Sequence, residues 1–242
     1  MKTTNLIEFF NEISYDWTQD KDKIECICKY TKTRVKPNLA RKPFQFPYGS
    51  EQTFLIKAIA EWSNAKNFFE IGTGRGTAAY AVSLVPAIEQ IYTLDIIPFD
   101  QKMNTAIDYQ AATVSNSDLY NMIPFEEKQK IIFQQRRAAS GEWGMTNLPD
   151  GTLFDVSFID GNHSDPSIII QDFLLCQKVM KPNGWIIWDD YSPREHQVKA
   201  VVDATLKRYP NTTATLIEFR GHLFDKQHKE RDSGVVLMKL GE

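Results

Sequence analysis

Cysteine is scarce in this chain: three in 242 residues, Cys26, Cys28 and Cys176. That is too few and too scattered for a disulfide framework. Cys26-x-Cys28 has no second Cys or His pair at ligand spacing, so packing explains it better than a metal site. Absent too is any run of about 20 apolar residues that could cross a bilayer. The opening "MKTTNLIEFFNEIS" carries acids where a signal peptide would be apolar. A reducing, cytoplasmic location is the expectation, with no membrane partner. Charge of one sign is also missing: the net charge of −3 gives no global attraction to nucleic acid. The one basic stretch, "RVKPNLARKP" at 34–43, has two prolines and no interleaved aromatics, so it reads as a solvated loop.

What is present is an ordinary globular composition, 42% hydrophobic and 24% charged. Residues 1–48 read as an N-terminal extension of short helices, closing in the fixed lead-in "KPFQFPYG". Residues 49–242 form the main domain. From Ser50, a plausible N-cap, Phe54, Leu55, Ala58, Ile59 and Trp62 share one helical face. Strands then alternate with helices: "NFFEI" (67–71), "QIYTLDI" (90–96), "KIIFQQ" (130–135), "FDVSFID" (154–160) and "WIIWDD" (185–190). Two last strands, "TTATLIEF" (212–219) and "GVVLMKL" (234–240), have no helix between them and read as an antiparallel edge. The fold class is α/β: a three-layer, doubly wound, Rossmann-like sheet of seven mostly parallel strands. Ligands of such sheets lie beyond the carboxyl ends of the strands. Acids recur there: Glu70, Asp95, Asp160, Asp189 and Asp190.

The turn "EIGTGRGT" (70–77) follows the first of these strands. A dinucleotide fingerprint needs G-x-G-x-x-G, whereas Gly72, Gly74 and Gly76 give G-x-G-x-G and Thr77 stands where the third glycine belongs. Glu70 before the turn would repel a pyrophosphate and attract a cation. Asp95, on the next strand, can accept two hydrogen bonds from a ribose diol. A positive ligand with ribose hydroxyls and no phosphate is S-adenosylmethionine. Here the chain resembles the class I S-adenosylmethionine-dependent methyltransferases, from about Tyr48 to its end. The resemblance implies that Gly72, Gly74 and Gly76 admit the donor's tail and ribose, with Thr73, Thr77 and Ile96 flanking it. It places Glu70 toward the tail, Asp95 on the ribose hydroxyls, Ser140 near the adenine, and Tyr48 and Gly49 over the donor. For that last pair a proline-flanked turn is an equal reading.

"FIDGNHSDPS" and "WIIWDDYS" bear on the methyl acceptor. The N/D-P-P-Y/F signature of enzymes that methylate adenine or glutamine nitrogen is absent. The pattern resembles metal-dependent small-molecule O-methyltransferases of the catechol and caffeoyl-CoA type and their sugar-modifying relatives. That resemblance implies Asp160, Asp189 and Asp190 as ligands of Mg²⁺ or another divalent cation, a set of hard oxygens suited to it. It also implies a hydroxylated small-molecule acceptor. Asp160 borders donor and acceptor. His163 stands where catechol-type members carry a lysine base, and a histidine can remove a hydroxyl proton near neutral pH. Structural alternatives remain: Asp189-Asp190 as a helix cap, and His163 bonded within the loop around Asp165. A metal-independent methyltransferase, a NAD-linked oxidoreductase and a non-catalytic nucleoside-binding protein are the competing functions. Residues 98–129 are longer than a crossover helix needs and read as a lid or wall. Aromatics near the N-terminus make a homodimer an expectation.

Overall fold

Successive residues of a strand face opposite ways, and Phe68 and Phe69 show where that leads: each belongs to a different hydrophobic core. The computed structural model describes residues 1–32, 45–47, 49–102, 114–135, 151–194, 196–224 and 234–239. Its centre is one sheet of strands β1 (Lys2–Asn5), β2 (Asn67–Ile71), β3 (Gln90–Asp95), β4 (Ile131–Gln135), β5 (Phe154–Ile159), β6 (Met180–Tyr191), β7 (Thr213–Glu218) and β8 (Gly234–Lys239). The spatial order is β1-β7-β8-β6-β5-β2-β3-β4. Only β8 runs against its neighbours, antiparallel to both β6 and β7, and every other pairing is parallel.

Helices cover both faces. On one side lie α1 (Leu6–Glu12), α2 (Lys21–Thr31), α3 (Ser50–Trp62) and α4 (Thr77–Ser83), packed on Phe68, Ile91, Val156, Phe158 and Ile187. On the other, α6 (Pro166–Val179) and α7 (His196–Arg208) pack on Phe69, Ile71, Ile159, Ile186 and Trp188. The short α5 (Asn116–Met122) buries Leu119 beside the β4 edge. This is the three-layer arrangement that the strand and helix alternation implied.

Three details depart from the sequence reading. First, Lys2–Asn5 is a strand, not part of a helix, and pairs in parallel with β7, making eight strands instead of seven. Asn5 then caps α1 through a reciprocal box with Glu8, so strand and helix meet without a linker. Second, Ser50 is the first helical residue of α3 rather than its cap. Gly49 caps it with φ 78, in the left-handed region, and the Ser50 hydroxyl donates to Pro47 O at 2.7 Å. Third, α3 is buried almost all round instead of along one stripe, because α1 and α2 cover its outer side, while Trp62 at its end stays 43% exposed. Pro166 opens α6, with Asp165 accepting from the Ser167 N–H at 2.9 Å. Among the described residues, no helix is long and apolar enough to cross a membrane.

Candidate active site

The glycine turn takes its shape from close approach. Gly72 has φ 93 and donates its N–H to Leu94 O at 2.8 Å. A Cβ there would lie 1.9 Å from the Asp160 carbonyl oxygen, so the turn rests directly on the end of β5. Gly74 (φ 50) and Gly76 (φ 70) are left-handed as well, and Gly76 opens α4 at Thr77. Asp95 holds this turn to the next one. Its Oδ2 accepts from the Gly74 N–H at 2.9 Å and its Oδ1 from the Ile97 N–H at 3.0 Å. A carboxylate has about four acceptor positions, so both oxygens keep a lone pair for a ligand. Ile96 beside it is 59% exposed, the kind of apolar surface that a flat ring could cover.

Beneath the turn runs a buried polar chain. Thr93 donates its hydroxyl to Glu70 Oε2, and Thr73 Oγ1 lies 2.7 Å from Thr93 Oγ1. Glu70 is 1% exposed. Burial pushes its carboxyl up to about 8, against the lowering effect of the Thr93 hydrogen bond and with a further upward push from Asp95.

At the neighbouring strand ends, acids converge. The Asp160 N–H donates to Ile71 O at 2.8 Å, which fixes the acid beside the glycine turn. His163 lies with Nε2 at 3.7 Å from Asp160 Oδ1 and Nδ1 at 3.1 Å from Asp190 Oδ2. One ligand atom from each of Asp160, His163 and Asp190 falls within 4.8 Å of the other two. Asp189 is 8% exposed, and its Oδ1 is buried without a hydrogen-bond partner. Burial, then Asp189, Asp190 and Glu70, raise the Asp160 carboxyl well above its usual range. A bulge makes this crowding possible. β6 and β8 lose register between Trp188 and Tyr191, and Asp190 sits at φ 52. In a regular strand Asp189 and Asp190 would point to opposite faces; the irregular turn brings both within electrostatic reach of Asp160.

Two cations or tethers escaped the sequence reading. Arg220, just past β7, places a guanidinium nitrogen 3.6 Å from Asp190 Oδ1. The segment after it is tied to α3 by Glu51, whose carboxylate accepts from the N–H groups of His222, Leu223 and Phe224 at 3.3, 2.5 and 2.6 Å. "EFRGH" offered no spacing signal for either. Thr93, in the middle of "YTLD", was legible only as a β-branched strand residue. The positions suggested for Tyr48 and Ser140 lie outside the described residues. Gly49 caps α3 near Lys32.

The glycine turn, the acid bonded to it at the end of β3 and the strand order together define a class. The family described as "Methyltransferase domain" (Methyltransf_24) matches residues 69–191, just over half of the chain, from the middle of β2 to the end of β6. The chain belongs to this family and is an S-adenosylmethionine-dependent methyltransferase of the class I fold. Solved structures of similar fold include the O-methyltransferase TomG from Streptomyces achromogenes in complex with SAM, at 17% identity and TM-score 0.59, covering 90% of each chain. The O-methyltransferase from Bacillus cereus in complex with SAH is 15% identical with TM-score 0.56, covering 91% of each chain. The SAH-bound Podospora anserina methyltransferase is 16% identical with TM-score 0.53, covering 93% of this chain and 96% of that one. No curated protein matches the sequence.

Proposed function

We propose that this methyltransferase carries the methyl group of S-adenosylmethionine to a hydroxyl of a small molecule, with a divalent cation such as Mg²⁺ at the acids of β5 and β6. The observation that carries this is the convergence of Asp160, His163 and Asp190 within 4.8 Å, on backbone that touches the donor turn at Gly72. The carboxylate oxygens of Asp160 and Asp190 with the partnerless Asp189 Oδ1 form a hard donor set that fits such an ion, leaving His163 outside it. When bound, the ion would lower the pKa of the acceptor hydroxyl. The chain's own residues do the remainder. Asp95 and the turn of Gly72, Thr73, Gly74, Gly76 and Thr77 hold the donor, Ile96 covers its adenine side, and Glu70 lies beneath the turn on the tail side, ionising when the cationic donor binds. Negative charge at these strand ends favours a sulfonium by simple Coulomb attraction. His163 takes the acceptor proton at Nε2. In-line transfer between held partners then needs alignment more than covalent help.

One contact favours a second reading without metal. Nδ1 of His163 faces Asp190 at 3.1 Å, an orientation that leaves Nε2 free to act as a base, as an acid-braced histidine does in hydrolytic triads. Turnover of labelled donor over a panel of catechols, flavonoids and sugars separates the two. We expect EDTA to abolish turnover and Mg²⁺ to restore it. Turnover that persists through chelation removes the metal and leaves the histidine pair.

A further inference from the structure

Asn116 lies at the start of α5, a position to which the sequence gives no role. It is 2% exposed. Its Nδ2 donates to Gly74 O at 3.1 Å, while its Oδ1 is buried and has no hydrogen-bond partner. The amide cannot be turned over, because only Nδ2 can face a carbonyl. The side chain is also held in place from its own element. Ser115 and Asp118 close a reciprocal cap around it at 3.0 and 2.9 Å, and the Ser117 N–H donates to Phe99 O at 2.9 Å, four residues beyond Asp95. Gly74 is thus gripped at both ends, its N–H by Asp95 and its carbonyl by Asn116.

A buried acceptor without a partner costs about 1–3 kcal/mol, and native proteins keep few of them. This one sits against the residue that also binds the ribose-facing acid. A ribose diol brings two O–H donors. Both oxygens of Asp95 already accept a backbone N–H, whereas Asn116 Oδ1 accepts nothing. We propose that Asn116 is a donor-binding and positioning residue: its Oδ1 accepts a hydrogen bond from one ribose hydroxyl of the adenosyl ligand, while its Nδ2 fixes the glycine turn. This rests on the reading of the turn as the donor site.

The test is calorimetric titration of the full chain with S-adenosylhomocysteine and with its 2′-deoxy and 3′-deoxy analogues. Asn116→Ala should bind S-adenosylhomocysteine about tenfold more weakly than wild type, the size of one hydrogen bond. Wild type should lose about tenfold on removal of one hydroxyl, and that loss should shrink to under about threefold in Asn116→Ala. Asn116→Asp keeps the shape and an acceptor oxygen. It should retain the deoxy penalty while losing overall affinity, which serves if the alanine variant does not fold. Equal affinity of Asn116→Ala and wild type, or the same deoxy penalty in wild type and both variants, overturns the proposal. Wild type that ignores S-adenosylhomocysteine overturns the donor site itself and this inference with it, so the two failures are told apart.

Discussion

Asp95 is bonded to two backbone N–H groups before any ligand arrives, so on the proposed donor reading its removal acts twice: it loosens the Gly74 turn and deletes the ribose acceptor. Asp95→Ala should weaken S-adenosylhomocysteine binding by about 30- to 160-fold, as charged hydrogen bonds of about 2–3 kcal/mol imply, measured by calorimetry. Glu70 gives a pH signature. Its folded-state pKa is raised from 4.5 to about 8, so its burial favours the neutral acid. The stability linked to that proton is complete below about 4.5 and is lost as pH rises through about 8. Melting temperature should therefore fall between pH 6 and pH 9 in wild type more than in Glu70→Gln, and parallel curves would contradict it. A cationic donor favours the ionised form, so titrations at pH 7 in buffers of different ionisation heat should show proton release on binding. The strand-end positions of Asp95 and Glu70 beside the glycine turn were readable from sequence, because each stands at or next to the end of an apolar strand run. The contacts of Asn116 with Gly74 and of Arg220 with Asp190 were not: each joins residues far apart along the chain, and neither carries a local pattern.

Among the elements, the glycine turn is the least forgiving. Gly72→Ala would set a Cβ 1.9 Å from the Asp160 carbonyl at φ 93, whereas at Gly76 the nearest obstacle is the Tyr80 ring at 3.0 Å. Gly72→Ala should cost about 3 kcal/mol or more and abolish donor binding, with Gly76→Ala milder; thermal melts of the two variants check the order. The strands from β2 to β8 were legible within a residue or two, except that β6 begins at Met180 rather than near Trp185. Their apolar runs are long enough to override local preferences. The β6 bulge was not legible. Two consecutive acids look the same whether they cap a helix or crowd a site, and only pairing with β8 reveals the extra residue. Residues 103–113, the middle of the expected wall, lie outside the described part. The rings of Phe99, Tyr120 of α5 and Phe133 of β4 pack together with centres 4.5–6.2 Å apart.

The whole molecule joins its beginning to its core. Leu6, Phe9, Phe10, Ile24 and Ile27 are all 5% exposed or less and belong to the same cluster as Phe68 and Ile187. At about 1.5–3 kcal/mol each, their burial is comparable to the entire stability of a typical domain, about 5–15 kcal/mol. A chain lacking residues 1–32 should be insoluble or should melt without a cooperative transition by calorimetry. A sharp melt near that of the full chain would show the first helices to be dispensable. Sequence periodicity did not reveal this dependence, since α3 looked amphipathic and its second buried face appears only when α1 and α2 are in place.

The pairing of Lys2–Asn5 with Thr215–Glu218 carries one more consequence. During synthesis the first segment leaves the ribosome more than two hundred positions ahead of its partner strand. Until the tail follows, Leu6 and Phe9 have no finished surface to rest on, and the edge of the sheet closes last. Ribosome-held chains stopped before Thr213 would leave that hydrophobic beginning open to chaperones, and the final two strands would be what releases it.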